Sequence, residues 1–273
     1  CVAGRCRGFP SFVYAHVDSE PPLVAGFAVG GSGELSPLPG SPYATGAVGP
    51  GFDHHPDGLA LCGGWLYSAG HEDDVIAGFA VAPDGTLSAL PGSPFSSPTR
   101  VYGLACAEQA ALLFATGYGQ AVWRFAVAAG GTLSESDLGP QLVPSYALGI
   151  DYEPIGELLL VASHPTQLDG FLLYPASGQL NELPDTPHLV GDGIRSVVSS
   201  PDGRMLAFEQ AAGARIGVVT SGGALAFGPL LADPSDCEPT GLAWSPDGLL
   251  LLAGHRGCSP PEVTVYAVNA EGG

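Results

Sequence analysis

The stretch GTLSALPGSPF at Gly85 to Phe95 has a near copy in GELSPLPGSPY at Gly33 to Tyr43. Looser copies are GTLSESDLGP at Gly131, GQLNELPDTP at Gly178 and GALAFGPLLAD at Gly223. Self-similarity at a fixed period constrains the fold more than any single motif, because each repeat is one supersecondary unit that must bury its apolar face against its neighbours. Each copy follows an alternating apolar segment, VAGFAV, VIAGFAV, AVWRFAV, GFLLYP or RIGVVT, and a sixth such segment, VTVYAV, comes near the end. Six units about 45 residues apart nearly fill the chain.

A second block lies between those segments. It is clearest as SSPDGRMLAFEQ at Ser199 to Gln210 and WSPDGLLLLAGH at Trp244 to His255. Its order is strand, Pro-Asp-Gly turn, strand, which is hairpin chemistry. DYEPIGELLLVASH, CAEQAALLFATGY and HHPDGLALCGGWLYSAGH fit the same pattern, the last with about six extra residues after its turn. Each unit therefore holds four short strands, A to D. Four antiparallel strands repeated around an axis make a β-propeller. The expectation is one all-β domain over 1–273 with six four-stranded blades, near 1–46, 47–98, 99–143, 144–191, 192–236 and 237–273. The last blade is incomplete, because Gly272 stands where its strand D would begin. Either CVAGRC at the N-terminus closes the ring or the gene product is longer.

Composition agrees. Forty-one Gly and 26 Pro work against long helices, while 45% hydrophobic residues supply a core. The longest aliphatic run, Leu249 to Ala253, is far short of the roughly 18 residues a membrane-spanning helix needs. All eight basic residues are Arg, and 27 acidic residues bring the formal charge to -19, which argues against nucleic acid as a partner. Six Cys without a CxxC pair suit disulfides in an exported protein better than a zinc site. Cys1 at the start fits either a lipid-anchored mature chain or a trimmed boundary. The expected location is the periplasm, the cell surface or the medium.

The SPDG turn, the FxV strand, GTL and PGSPF together resemble the YVTN or lactonase-type propellers, including the 6-phosphogluconolactonase-like family. The resemblance covers nearly the whole chain. It implies the propeller architecture, whereas activity varies within that family. Its lactonases typically have seven blades, and this chain has six units.

In a propeller, strand A lies nearest the axis, and the B-to-C loops and D-to-A connections open on the face where ligands sit. The last residue of strand B in the six units reads His16, His71, Tyr118, His164, Gln210 and His255. Four of the seven His thus predict a partial ring around the mouth, where the resembling family commonly has Asn. Two readings stand. Each His caps its own loop, or His16, His71, His164 and His255 serve as general bases or metal ligands, with Tyr118 and Gln210 as ligand contacts. Nearby loops are acidic, with Asp18, Glu20, Glu72, Asp73, Asp74, Asp169, Asp185, Asp192, Asp236 and Glu238. His71, His164, Asp73 and Asp74 form a candidate set for one divalent ion, calcium, magnesium or zinc, against the alternative of ordinary solvated charge.

Arg195 and Arg100, at the starts of two strands A, are candidate holders of a carboxylate or phosphate, or structural partners of Asp192 or Glu238. The spacing puts His54 and His55 in a strand A and its turn, away from this face, and His188 in a D-to-A connection. Disulfides are expected between Cys237 and Cys258 on the ligand face and between Cys6 and Cys62 on the opposite one. No GxSxG elbow, Walker loop, GxGxxG or HExxH is present, which argues against a covalent serine hydrolase and a nucleotide cofactor. Two functions follow as expectations. One is an exported lactonase-like hydrolase for a small anionic lactone of sugar type. The other is a non-catalytic surface propeller that binds a protein or a glycan.

Overall fold

The computed structural model describes residues 11–17, 19–31, 33–47, 57–70, 73–191, 193–220, 224–232, 238–256 and 263–268. It is a six-bladed β-propeller of small antiparallel sheets, as the repeat predicts, and one 3-10 turn at Glu108–Ala110 is the sole helical element among the described residues. In the third blade strands A to D are Val101–Ala107, Leu112–Gly117, Ala121–Val127 and Leu133–Glu135. In the fourth they are Tyr146–Glu153, Leu158–His164, Gln167–Tyr174 and Gln179–Glu182. The second blade runs from Leu59–Cys62 to Leu87–Ala89 and the fifth from Val197–Ser199 to Leu225–Ala232. Among the described residues the first blade holds strands B to D, beginning with Ser11–Val17, and the last holds A to C, ending with Val263–Ala267. CVAGRC, the segment considered for closure, lies outside the described residues.

The apolar core sits between neighbouring blades rather than inside any one of them. Ala105, Phe114 and Val122 of the third blade pack with Ile150, Leu159 and Phe171 of the fourth. Further clusters fill the other described junctions, with Phe208 between blades four and five and Leu251 between five and six. Two hydroxyls fasten the junctions further. Tyr14 donates to the carbonyl of Gly85 at 2.6 Å and Tyr67 to that of Gly131 at 2.7 Å, each reaching the turn between strands C and D of the next blade.

The repeated PGSP motif has a local reason. The N–H groups of Gly26, Gly78 and Gly170 in strand C donate to the hydroxyls of Ser41, Ser93 and Thr186 at 2.8–3.0 Å. Those glycines lie under Leu38, Leu90 and Leu183, whose methyls sit 2.8–2.9 Å from where a Cβ would be. The third blade exchanges the volumes. Arg124 takes the glycine place and Ser136 the leucine place, with the same backbone bond of 2.9 Å between them. Arg124 is buried and donates to the carbonyls of Leu138 and Gly139 and to Gln141 Oε1, and burial lowers its pKa.

Three expectations are corrected. Pro56-Asp57-Gly58 is not the A-to-B turn of the second blade. The turn is Gly63-Gly64, with Gly63 at a φ of 60°, between Cys62 and its partner Trp65. Gly-Gly closes a two-residue hairpin better than Pro-Asp-Gly can, and this moves Asp57 to the opposite end of strand A. Cys62 pairs with Cys106 rather than Cys6, because the ends of strands A in blades two and three bring their Cα atoms to 5.5 Å. Asp169 lies inside strand C and is buried, not in a loop. No described helix is long and apolar enough to cross a membrane.

The Arg124 and Ser136 exchange makes a testable pair. Arg124→Gly leaves a void and Ser136→Leu collides with the guanidinium, so each destabilises alone. The double variant recreates the pair seen in the other blades, and urea unfolding is expected to show a favourable interaction energy of about 1 kcal/mol or more between the two changes. Additive losses would show that the positions do not exchange volume.

Candidate functional site

Strand A is the innermost strand of its sheet, so one of its edges faces the axis with no strand beyond it. Asp57, two residues before strand A of the second blade, reaches across the channel to that edge in two other blades. Its Oδ2 accepts the Ile150 N–H at 3.1 Å and its Oδ1 the Ser196 hydroxyl at 3.1 Å, with the Val197 N–H nearby favouring the ionised form. Its own carbonyl accepts the Leu104 N–H at 2.7 Å. One residue thereby ties blades two, three, four and five. Gly149 is the place where the carboxylate passes, since a Cβ there would collide with Asp57 Oδ2 and the Arg195 carbonyl.

Burial pushes the Asp57 pKa up to about 8, and the neighbouring Asp151 adds to the rise while the three hydrogen bonds oppose it. A hydroxyl can donate or accept. Ser196 therefore satisfies Asp57 in both states, giving its proton to the carboxylate or taking a bond from the acid. Burial also raises Asp151, whose Oδ2 accepts the Ser199 N–H at 2.6 Å. His16, on strand B of the first blade, packs against Gly58, the residue after Asp57, where a Cβ would lie 2.7 Å from its Cε1. Its Nε2 lies 2.8 Å from the Ser68 hydroxyl. The ring is open to solvent on one side, but protein crowds it enough that desolvation lowers its pKa to about 4. Near neutral pH an imidazole without a proton therefore stands against Gly58, next in the chain to an aspartic acid that keeps its own.

The mouth departs from a simple ring of His. A bulge in strand A sets the register, with Gly103 opposite Thr116, Gly149 opposite Ala162 and Gly241 opposite Gly254. Counted from these pairs, Tyr118 and His164 are equivalent, and His255 lies one residue deeper. His16 pairs with Val24 as Ala69 pairs with Ile76, which places it two residues deeper than the sequence position of His71. His255 turns its Nε2 to Thr264 Oγ1 at 2.9 Å within its own blade. Gln210 is buried and gives its amide to the Val190 carbonyl. The first contact joins strand B to strand C and the second holds the connection at Val190. His188 packs edge-on against Phe227, away from the mouth.

By the same register Arg100 and Tyr146 are equivalent, each three residues before its bulge glycine. Two equivalent cross-strand pairs thus stand side by side, Arg100 with Tyr118 and Tyr146 with His164. The Tyr118 and Tyr146 rings are 5.9 Å apart and the Arg100 guanidinium lies 6.0 Å from the Tyr118 ring. The tyrosines are 63% and 50% exposed, yet their backbone is held. The Tyr118 N–H donates to the Arg100 carbonyl at 3.0 Å, Thr99 Oγ1 to the Tyr118 carbonyl at 3.1 Å, and the Ala147 N–H to the Gly119 carbonyl at 3.3 Å.

Arg195 sits beside Ser196, and its carbonyl lies against Gly149. The carbonyl of Asp74, a left-handed residue at φ 50°, accepts the Ser97 N–H, and Asp73 precedes it in the same loop. Among the described residues no three His, Cys, Asp or Glu side chains converge as a metal-binding group. His71, Asp18, Glu72, Asp192, His54, His55, Cys237 and Cys258 lie outside the described residues, and so does the side chain of Glu238.

No protein-family model and no curated protein matches the chain. Solved structures do. A candidate 6-phosphogluconolactonase from Bacteroides fragilis superposes with a TM-score of 0.76 at 17% identity, covering 98% of this chain and 80% of that one. The periplasmic gluconolactonase of Pseudomonas aeruginosa gives 0.68 at 18% identity, covering 96% and 81%. Kuenenia stuttgartiensis hydrazine synthase also matches, at 0.57 and 15%, covering 84% and 68%. The fold is therefore that of lactonase-like propellers, and it hosts other chemistry as well.

Asp57 should be visible in stability. An unfolded Asp loses its proton near pH 4, whereas the folded one holds it to about 8. Between those limits unfolding releases a proton, so stability falls as pH rises, by at most about 1.4 kcal/mol per unit, and levels off above 8. Asn can accept the Ile150 N–H with its carbonyl and give its amide to the Ser196 hydroxyl, without the charge. Asp57→Asn should melt close to the parent at pH 4–5 and at least about 2 °C above it at pH 9. A variant that melts lower at every pH would contradict the raised acid.

Proposed function

We propose that the protein is a lactonase-like hydrolase acting on a small sugar-type lactone in the channel, with Asp57 as the acid and His16 as the base. The observation that carries this reading is that Gly58 joins the two groups, following the proton-holding Asp57 in the chain and lying under the proton-free His16 ring. The likeness to lactonase-like propellers agrees with it. Opening a ring ester needs both groups. His16 takes a proton from the attacking water as the new C–O bond forms at the carbonyl carbon. The ring C–O bond then breaks, and Asp57 gives its proton to the departing ring oxygen. Return of the His16 proton to Asp57 through solvent leaves a hydroxy acid and restores the site, so atoms and charges balance. General acid and base catalysis of this kind contributes about 10²–10⁴-fold. Arg195, whose backbone adjoins Ser196 and Gly149, is the donor proposed for an anionic substituent.

Export agrees with the Cys62–Cys106 disulfide, which persists in oxidising compartments. The exposed Tyr118 and Tyr146 support a second reading, a propeller that binds glycans without turnover.

Acid release from glucono-δ-lactone, followed in a pH-stat with the spontaneous rate subtracted, tests the first reading. The expected kcat/KM profile is bell-shaped, falling below about 4 as His16 protonates and above about 8 as Asp57 ionises. Asp57→Asn and His16→Ala should each lower kcat at least about 100-fold. Undiminished turnover in either variant would remove that residue from the mechanism.

A further inference from the structure

The Arg100, Tyr118, Tyr146 and His164 row is too far from Asp57 to touch the same sugar ring. Tyr146 lies three residues before Gly149, the residue the Asp57 carboxylate crosses, which is about 10 Å along strand A. One lactone ring placed against Asp57 and His16 leaves the row uncovered. Nothing in the blade core needs two tyrosines there, since both are at least half exposed. Their hold is nevertheless firm. Gln120, in the same loop, gives its amide to the Pro144 carbonyl at 3.2 Å, and its own carbonyl accepts the Val143 N–H at 3.0 Å. With the bonds at Arg100, Thr99 and Ala147, the loop that carries Tyr118 is fastened to the D-to-A connections on both sides. A large aromatic surface offered on a fixed backbone recognises a ligand at little cost in ordering.

We infer that this row is a subsite for a second sugar ring, so that the preferred substrate is a glycosylated aldonolactone rather than a free hexonolactone. This inference rests on the lactonase reading of the channel. The C–H face of the distal ring stacks on Tyr118 and Tyr146, as aromatic rings hold apolar surface with a polar edge beside it. Arg100 at one end and His164 at the other bond its hydroxyls, the guanidinium presenting several donors and the imidazole either a donor or an acceptor. In a protein with a formal charge of -19, the guanidinium also makes this the part of the rim best suited to an electron-rich ligand.

The test measures binding of the ring-opened acids, which are not consumed. Calorimetry with wild-type protein should find cellobionate bound at least about tenfold more tightly than gluconate. Tyr118→Ala/Tyr146→Ala should bind the two acids alike, and Tyr118→Phe/Tyr146→Phe should keep most of the preference, because stacking survives loss of the hydroxyls. Both variants should keep the parental melting temperature, since the rings are exposed. Equal affinities in the wild type, no binding of either acid, or an alanine variant that still prefers cellobionate would each overturn the subsite. Turnover of cellobiono-δ-lactone separates the two claims. A cellobionate preference without hydrolysis keeps the subsite and removes the lactonase, whereas hydrolysis of both lactones at equal kcat/KM keeps the lactonase and removes the subsite.

Discussion

A ring of sheets leaves the inner edge of every strand A facing a channel with no strand beside it, and the backbone N–H groups on that edge need acceptors. The site follows from this constraint. Asp57 supplies one acceptor group to Ile150, Val197 and Ser196 at once, and only a side chain that crosses the axis can do so. Crossing the axis buries the carboxyl, and burial lifts its pKa. The arrangement that closes the inner edge is therefore the one that produces an acid able to hold a proton near neutral pH. Asparagine would close the edge without the electrostatic cost, so the raised acid is the feature that the proposed role for Asp57 uses.

Small residues allow this. Gly149 leaves room for the carboxyl, and Gly58 lets the His16 ring approach the chain beside Asp57. Either position with a Cβ would push the acid and the base apart. The placing of the two groups thus depends on glycines in different blades, Gly149 inside strand A of the fourth and Gly58 just before strand A of the second.

Much of this was legible in the sequence. The period and the alternation within each unit disclose six four-stranded blades, and the start of strand A and the end of strand B can be read well enough to put Arg100, Tyr118 and His164 at one end of their blades. Their depth cannot be read. The bulges at Gly103, Gly149 and Gly241 carry no local signal, and only the register counted from the strand pairs shows that His255 and His16 sit deeper than His164. Asp57 was hidden for another reason. Two turn signals, PDG and CGG, stand in the second blade with three residues between them, and a Gly-Gly hairpin took the turn, leaving Asp57 at the inner end of the blade. Gln210 and Val190 show a third limit, since whether a polar side chain turns outward or to a nearby carbonyl depends on the path of the connection.

Departures from the repeat are of two kinds, and the difference separates structure from recognition. Arg124 departs from the glycine of its sister blades, but Ser136 departs with it in the opposite sense, so the pair conserves volume and the change is absorbed within the sheet. Tyr118 and Tyr146 have no such counterpart. They add aromatic surface where neighbouring blades have none to match, and no core residue shrinks to receive them. A departure that is compensated inside the blade needs no ligand to explain it. One that is left uncompensated on a backbone held from both sides is the kind of departure that the proposed subsite would account for.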